Sequence, residues 1–386
     1  MTRQMRAIAT AACVAVLGSA ATGCGSAPAA RPTSTAGTVP AVALNTSITT
    51  AAGTWATVVM GGSAAQHNNF WQVFIRPAGA TRWKLVTPPG TADNGGLILA
   101  PGAGLSLVTA FRPSQYLTYT PLTQTGNAGD AWSALSPLDA ALASTPDSLA
   151  IQPGSGRLLA LLSSGVADAG APGAASWTTL VSTRTLAASP AGRSCGLQGL
   201  TAVAYTPAGT PLLAGTCSHP GAAGIFALIH QSWSSTGPVL TGSLAHQPIT
   251  VLRLDTSASQ TTALLAAGTG QRTSLLAAWS TDGGASWTLS PPLRTGGAVA
   301  GASFGPGQAA AVITGSGLGA VLVAGGWQQL PALPSGTLAL APGSSGTTDA
   351  LAVHRAILTV WQLADGQHSW SSEQTISVPI QYGSSG

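Results

Sequence analysis

Trp83-Lys84-Leu85-Val86-Thr87-Pro88 sets a tryptophan five residues ahead of a proline, and the same offset returns along the chain. Trp132 and Pro137, Trp233 and Pro238, and Trp287 and Pro292 repeat it; Thr185 and Pro190 keep the offset with threonine in the tryptophan's place. Trp327 has Pro331 one residue early, and Trp370 departs from the pattern, with Pro379 further on. Successive anchors stand 49, 53, 48, 54, 40 and 43 residues apart. Two features recurring together at a period of roughly 40–50 residues mark a repeat architecture.

Between anchors one order recurs: an apolar strand, a Pro/Gly turn, a second apolar strand, and a third strand that runs to the next anchor. Leu97–Phe111 (LILAPGAGLSLVTAF), Leu149–Leu162 (LAIQPGSGRLLALL) and Leu338–Val353 (LALAPGSSGTTDALAV) are examples. Short strands separated by turn signals indicate an all-β chain. Four strands per unit and seven units predict a seven-bladed β-propeller of four-stranded antiparallel blades, with six or eight blades also compatible. The first unit starts near Ala43 and takes in Thr54–Met60, Phe70–Arg76 and Arg82–Val86. Composition agrees: the 386 residues include 49 Gly and 26 Pro, and only 6% are charged, against about 25% in a typical soluble domain. Helices usually expose Lys and Glu, so their scarcity favours strands and turns. Lys84 is the single lysine and there is no basic run, which argues against a nucleic-acid partner.

The start of the chain reads as an address. Met1–Arg6 carries two arginines, Ala7–Ala21 is apolar and uncharged, and Ala21-Thr22-Gly23-Cys24 follows. That order is the pattern of an export signal. Ala21–Cys24 resembles a bacterial lipobox, with Ala where Leu is commoner; the resemblance implies lipidation of Cys24 and a membrane partner through that anchor. The alternative is ordinary cleavage at a small-residue site. The organisation expected is a signal peptide over 1–23, a flexible Ala/Pro/Thr/Ser tether over 24–43 and a propeller over 44–386, located outside the cytoplasm. Cys195 and Cys217 are then an even pair in an exported chain, read as a disulfide. Neither they nor the six histidines show metal-ligand spacing, and no metal or other cofactor is expected.

Ser280-Thr281-Asp282-Gly283-Gly284-Ala285-Ser286-Trp287 closely resembles the Asp-box, or bacterial-neuraminidase repeat, S-x-D-x-G-x-[ST]-W. Thr125–Trp132 is a degenerate copy with Asn127 for Asp, Asp365–Trp370 keeps the Asp and loses the glycine, and Arg76–Trp83 keeps only the tryptophan. The resemblance implies relatives among sialidases, other glycosidases and non-enzymatic propellers. It also implies a structural role for Ser280, Asp282, Gly284 and Trp287, on a hairpin remote from the ligand-binding face. The carboxylate caps amides of a tight turn, glycine gives backbone freedom, and tryptophan packs between blades.

Sialidase relatives use three arginines, a tyrosine beside a glutamate, and an aspartate acid/base. Here Phe74-Ile75-Arg76-Pro77 has the family's early residue types in another order, Glu373 is the single glutamate, and Tyr116, Tyr119, Tyr205 and Tyr382 have no neighbouring carboxylate. No catalytic residue is therefore assigned. Asp93, Asp139 and Asp147 fall in expected loops on one face, where two converging carboxylates would suit glycoside hydrolysis. The reading preferred is a monomeric, non-catalytic binding module for a protein or glycan; the alternative is an Asp-box glycoside hydrolase. Arg112, Arg272 and Arg355 fall in second-to-third-strand loops, and Arg193 and Arg294 in between-blade loops. Together they form a candidate ring for an anionic group, or else exposed arginines that serve solubility. His67, His246 and His354 are similarly placed.

Overall fold

The computed structural model describes residues 46–62, 69–89, 97–102, 104, 106–111, 122–134, 146–174, 176–257, 259–324, 326–344 and 346–379. The chain divides into two units, Met1–Pro32 and Thr33–Gly386, and every described residue lies in the second. The leader, Cys24 and the tether lie outside the described residues.

The described strands fall into seven consecutive groups of four. Sheet 1 is β1 (Thr46–Thr50), β2 (Gly53–Gly61), β3 (Asn69–Pro77) and β4 (Lys84–Leu85); sheet 2 is β5 (Leu97–Pro101), β6 (Leu107–Phe111), β7 (Leu122–Thr125) and β8 (Ser133–Ala134). Sheet 3 is β9 (Ser148–Ile151), β10 (Leu158–Leu161), β11 (Val166–Gly170) and β12 (Thr178–Ser182); the helices α1 (Thr183–Ala188) and α2 (Pro190–Cys195) follow. Sheet 4 is β13 (Leu197–Tyr205), β14 (Pro211–Cys217), β15 (Gly224–Ile229) and β16 (Ser232–Ser235). Sheet 5 is β17 (Ile249–Thr256), β18 (Thr261–Ala267), β19 (Ser274–Ser280) and β20 (Thr288–Leu289), with the short β21 (Leu293–Arg294) returning to pair with β19. Sheet 6 is β22 (Val299–Phe304), β23 (Ala310–Thr314), β24 (Gly319–Val323) and β25 (Gly326–Gln329); sheet 7 is β26 (Thr337–Pro342), β27 (Thr348–His354), β28 (Ile357–Leu363) and β29 (Ser371–Ser377).

Within each group neighbours in sequence pair antiparallel, so each sheet is an up-and-down meander. Main-chain pairing also joins β14 to β17, antiparallel, at the seam of sheets 4 and 5, and β1 to β22, parallel, between the first strands of sheets 1 and 6. Middle strands are buried along their length, as in Thr261–Ala267 and Ala310–Thr314, because sheets cover them on both faces. Their alanines keep the layers close.

Seven apolar clusters fill the seams. Trp55 and Leu99 belong to the seam of sheets 1 and 2, Val108 and Leu158 to 2 and 3, and Leu159 and Phe226 to 3 and 4. Leu212 and Leu265 belong to 4 and 5, Leu264 and Leu322 to 5 and 6, and Ile313 and Leu340 to 6 and 7. Phe74 and Leu351 join sheet 7 back to sheet 1. A tryptophan at or beside the start of each fourth strand packs into the seam with the preceding sheet: Trp83, Trp132, Trp177, Trp233, Trp287, Trp327 and Trp370.

The third anchor is therefore Trp177 and not Thr185. Thr185 lies in α1 and Pro190 opens α2, so the offset there is a coincidence created by a helical insertion. Local chemistry explains the insertion. The Ser182 hydroxyl accepts from Thr185 N–H to cap α1, and Ser189 accepts from Gly192 N–H to cap α2. Pro190 stands in the first turn, where no N–H is needed, and Gly196 ends the helix at φ +65°.

In such a meander the start of the first strand, the second-to-third-strand connection and the link to the next sheet share one edge. That edge is the upper face below; the other two hairpins of each sheet lie on the lower face.

Candidate functional site

The first strands of sheets 1 to 5 line an axial cavity of about 100 Å³, bordered by Thr46, Leu99, Ser148, Tyr205, Arg253 and Asp255 among others. Arg253 and Asp255 are two apart on β17, so both point to one side of the strand. Arg253 Nη2 lies 3.2 Å from Asp255 Oδ2, and the two side chains keep only 16% and 19% of their surface exposed. Arg253 Nη1 donates to Thr46 Oγ1 and, at 2.9 Å, to the Ala302 carbonyl. The guanidinium also lies 5.1 Å from the Phe304 ring centre. Burial lowers the Arg253 pKa and raises that of Asp255; each partner's charge opposes the other's shift. Beside them burial pushes the Tyr205 phenol up to about 12, against the pull of Arg157. A mostly buried ion pair beside a space of this size can receive one small polar group. Its donors are already committed to holding β1, β17 and β22 together, so it fits recognition and cohesion better than proton transfer.

The repeat and the Asp-box both pass over Arg253 and Asp255. The signal available in the sequence is a charged pair in LRLDT at strand spacing, inside an otherwise apolar first strand.

The arginines expected to form a ring are spread out. Arg193 stands on α2 and donates to the Ala188 carbonyl at the end of α1, where a cation complements the helix dipole. Arg272 ends the turn Gly270–Arg272, and Arg294 pairs opposite Ser274 in β21. Those two segments are tied by Thr295 N–H to Thr273 O at 3.2 Å. Arg355 sits at φ +56° between β27 and β28, and its carbonyl accepts Gly61 N–H at 2.9 Å, joining sheets 7 and 1. All four are exposed, all lie on upper-face connections, and no described hydrogen bond or ion pair joins any two. His246 and His354 lie on the same face, also exposed. Arg112, His67, Asp93 and Asp139 lie outside the described residues.

Most described carboxylates have structural partners. Asp282 Oδ1 accepts from Ser280 Oγ at 2.8 Å and Ser286 N–H at 2.9 Å, and Oδ2 accepts from Ser286 Oγ. These bonds hold its pKa well below the usual carboxylate range. Gly284 at φ +96° lets its N–H reach Ser280 Oγ at 2.8 Å, and Trp287 Nε1 donates to Thr236 O across the seam. Asn127 repeats the pattern: its Oδ1 accepts from Thr125 Oγ1 and Ala131 N–H, and Trp132 Nε1 donates to Val86 O. Asp349 accepts from Arg76 at 2.5 Å, Trp83 Nε1 at 2.8 Å and Gln362 at 3.1 Å. Asp130 pairs with Lys84, and Glu373 accepts from Ser371. Asp147 borders the axial cavity. Cys195 and Cys217 are disulfide-bonded, their Cα atoms 5.3 Å apart. Among the described residues no group of His, Cys, Asp and Glu could hold a metal ion, and no helix is long and apolar enough to cross a membrane.

No family model and no curated protein matches the chain. Solved structures do resemble it. A protein from Lactobacillus plantarum is 13% identical, with 84% of this chain covering 96% of that one at a TM-score of 0.51. YCF48 from Cyanidioschyzon merolae is 12% identical over 86% of this chain and 98% of that one, at a TM-score of 0.47. An ancestral GH74 enzyme is 12% identical over 88% and 47%, at a TM-score of 0.45. At these identities the likeness concerns the fold alone, and together with the strand order and the filled seams it makes the fold an all-β propeller.

Proposed function

We propose that the chain is an extracytoplasmic, lipid-anchored propeller of seven blades and Asp-box type, acting as a monomeric, non-catalytic binding module for a protein or glycan ligand. The observation that carries the non-catalytic reading is the occupation of the carboxylates. Asp282, Asp349, Asp255, Asp130 and Glu373 each serve a turn, a seam or an ion pair. Glycoside hydrolysis canonically uses two carboxyl groups facing each other across about 5–10 Å, whereas each of these five is engaged by partners of its own. The seven seam clusters, with sheet 7 packed on sheet 1, support closure as seven blades. Recognition groups remain in the axial ion pair and the upper-face arginines.

A panel of fluorogenic glycosides tests the reading. No turnover is expected from the purified protein; turnover abolished by Asp147→Asn or Asp255→Asn would make it a hydrolase. The anchor has a separate test. Cys24→Ala is expected to move the mature protein from the membrane fraction to the soluble fraction, and unchanged membrane retention would remove the lipid anchor from the proposal.

A further inference from the structure

We infer that the upper face of the propeller docks on an anionic lipid surface. Exposed charge is divided unequally between the two faces, the lower one holding Arg82, Arg157 and the half-buried Lys84 beside its carboxylates. Among the described residues Arg184, Arg193, Arg272, Arg294 and Arg355 are exposed on upper-face connections. No exposed described carboxylate shares that face; Asp147, at its edge, is half-buried in the axial cavity. The exposed carboxylates Asp130, Asp282, Asp365 and Glu373 all lie at the lower face. The arginines are distributed from the link between sheets 3 and 4 round to sheet 7. That distribution suits a plane of negative charge better than one small anion.

The path of the chain points the same way. Thr46 begins β1, and first strands begin on the upper face. Twenty-one residues separate Cys24 from Thr46. On the anchored reading, β1 is the described strand nearest in sequence to Cys24, and it begins on that same cationic face. The geometry rests on the anchored reading; the unequal division of charge does not. Each arginine brought near an anionic leaflet strengthens partition about fivefold.

The whole Cys24→Ala chain, mixed with vesicles of phosphatidylcholine containing about 30% phosphatidylglycerol, tests this without the lipid. Co-sedimentation is expected on these vesicles, well above that on pure phosphatidylcholine, and it should fall as salt rises from about 50 to about 500 mM and shortens the screening length. The combined variant Arg193→Gln, Arg272→Gln, Arg294→Gln, Arg355→Gln should bind at least tenfold more weakly. The lower-face variant Arg82→Gln, Arg157→Gln should bind as the parent does. Should the fourfold variant misfold by circular dichroism, Arg272→Gln with Arg294→Gln should give an intermediate loss. Equal binding to neutral vesicles, no binding to anionic ones, or a loss as large from the lower-face variant would overturn the inference. Those results leave the anchor standing, because the anchor is judged by fractionation of Cys24 and Cys24→Ala chains in cells.

Discussion

Asp282 is fully solvent-facing, and its low pKa comes from hydrogen bonds to Ser286 and Ser280. A carboxylate whose folded pKa lies below its unfolded value of 3.8 adds stability above that value and loses it as pH falls toward the folded pKa. Asp282→Asn should therefore lower the melting temperature at pH 6, with the gap to the parent closing below about pH 3.8. A gap independent of pH would show that the charge is not what the turn uses. The octapeptide around Asp282 is readable because every bond it makes is local. Arg253 is not, because its partners Thr46 and Ala302 are 207 and 49 residues away, and nothing in LRLDT announces them.

At the scale of the element, strands and turns are legible where alternation and Pro/Gly punctuation coincide, as in Leu97–Phe111 and Leu338–Val353. The misreading falls on Thr183–Cys195, where a spacing rule runs past two Ser caps, a first-turn proline and a terminal glycine. Chemistry at the helix ends outweighs the repeat. The disulfide then ties the end of α2 to the end of β14, and Gly192 lets the two helices touch: a Cβ there would stand 2.0 Å from the Leu186 carbonyl. If Trp177 is the seam residue of sheet 3, Trp177→Ala should cost about 3 kcal/mol in urea unfolding, whereas Thr185→Ala should cost under about 0.5 kcal/mol. Comparable losses from both would restore Thr185 as the anchor.

Across the whole molecule, the seam between the last sheet and the first carries a buried ion pair from one sheet to the other. Asp349 is 2% exposed and gathers Arg76 and Trp83 from sheet 1 with Gln362 from its own sheet. Arg76 also lies 5.6 Å from the Trp83 ring centre, and Gln374 holds both the N–H and the carbonyl of Trp83. Removing one member of a buried pair strands the other. Asp349→Ala should destabilise by about 3–5 kcal/mol, and Arg76→Met with Asp349→Leu by clearly less, measured as a double-mutant cycle. The repeat predicts that a seam exists there; it cannot show the ion pair, because only folding brings residue 76 to residue 349.

Thr46 and Ser47 find their partners at Ala302, Ser303 and Leu340, 256 to 293 residues later in the chain. A polypeptide is made from its N-terminus, so the first described strand acquires its distant partners last. Sheets 1 to 5 can form while synthesis continues, β1 pairing with β2, yet the bonds of Thr46 and Ser47 to Ala302, Ser303 and Leu340 must wait until the sixth and seventh sheets exist. Contacts this distant slow a folding reaction. These long-range contacts of sheet 1 therefore form only as the last quarter of the chain arrives.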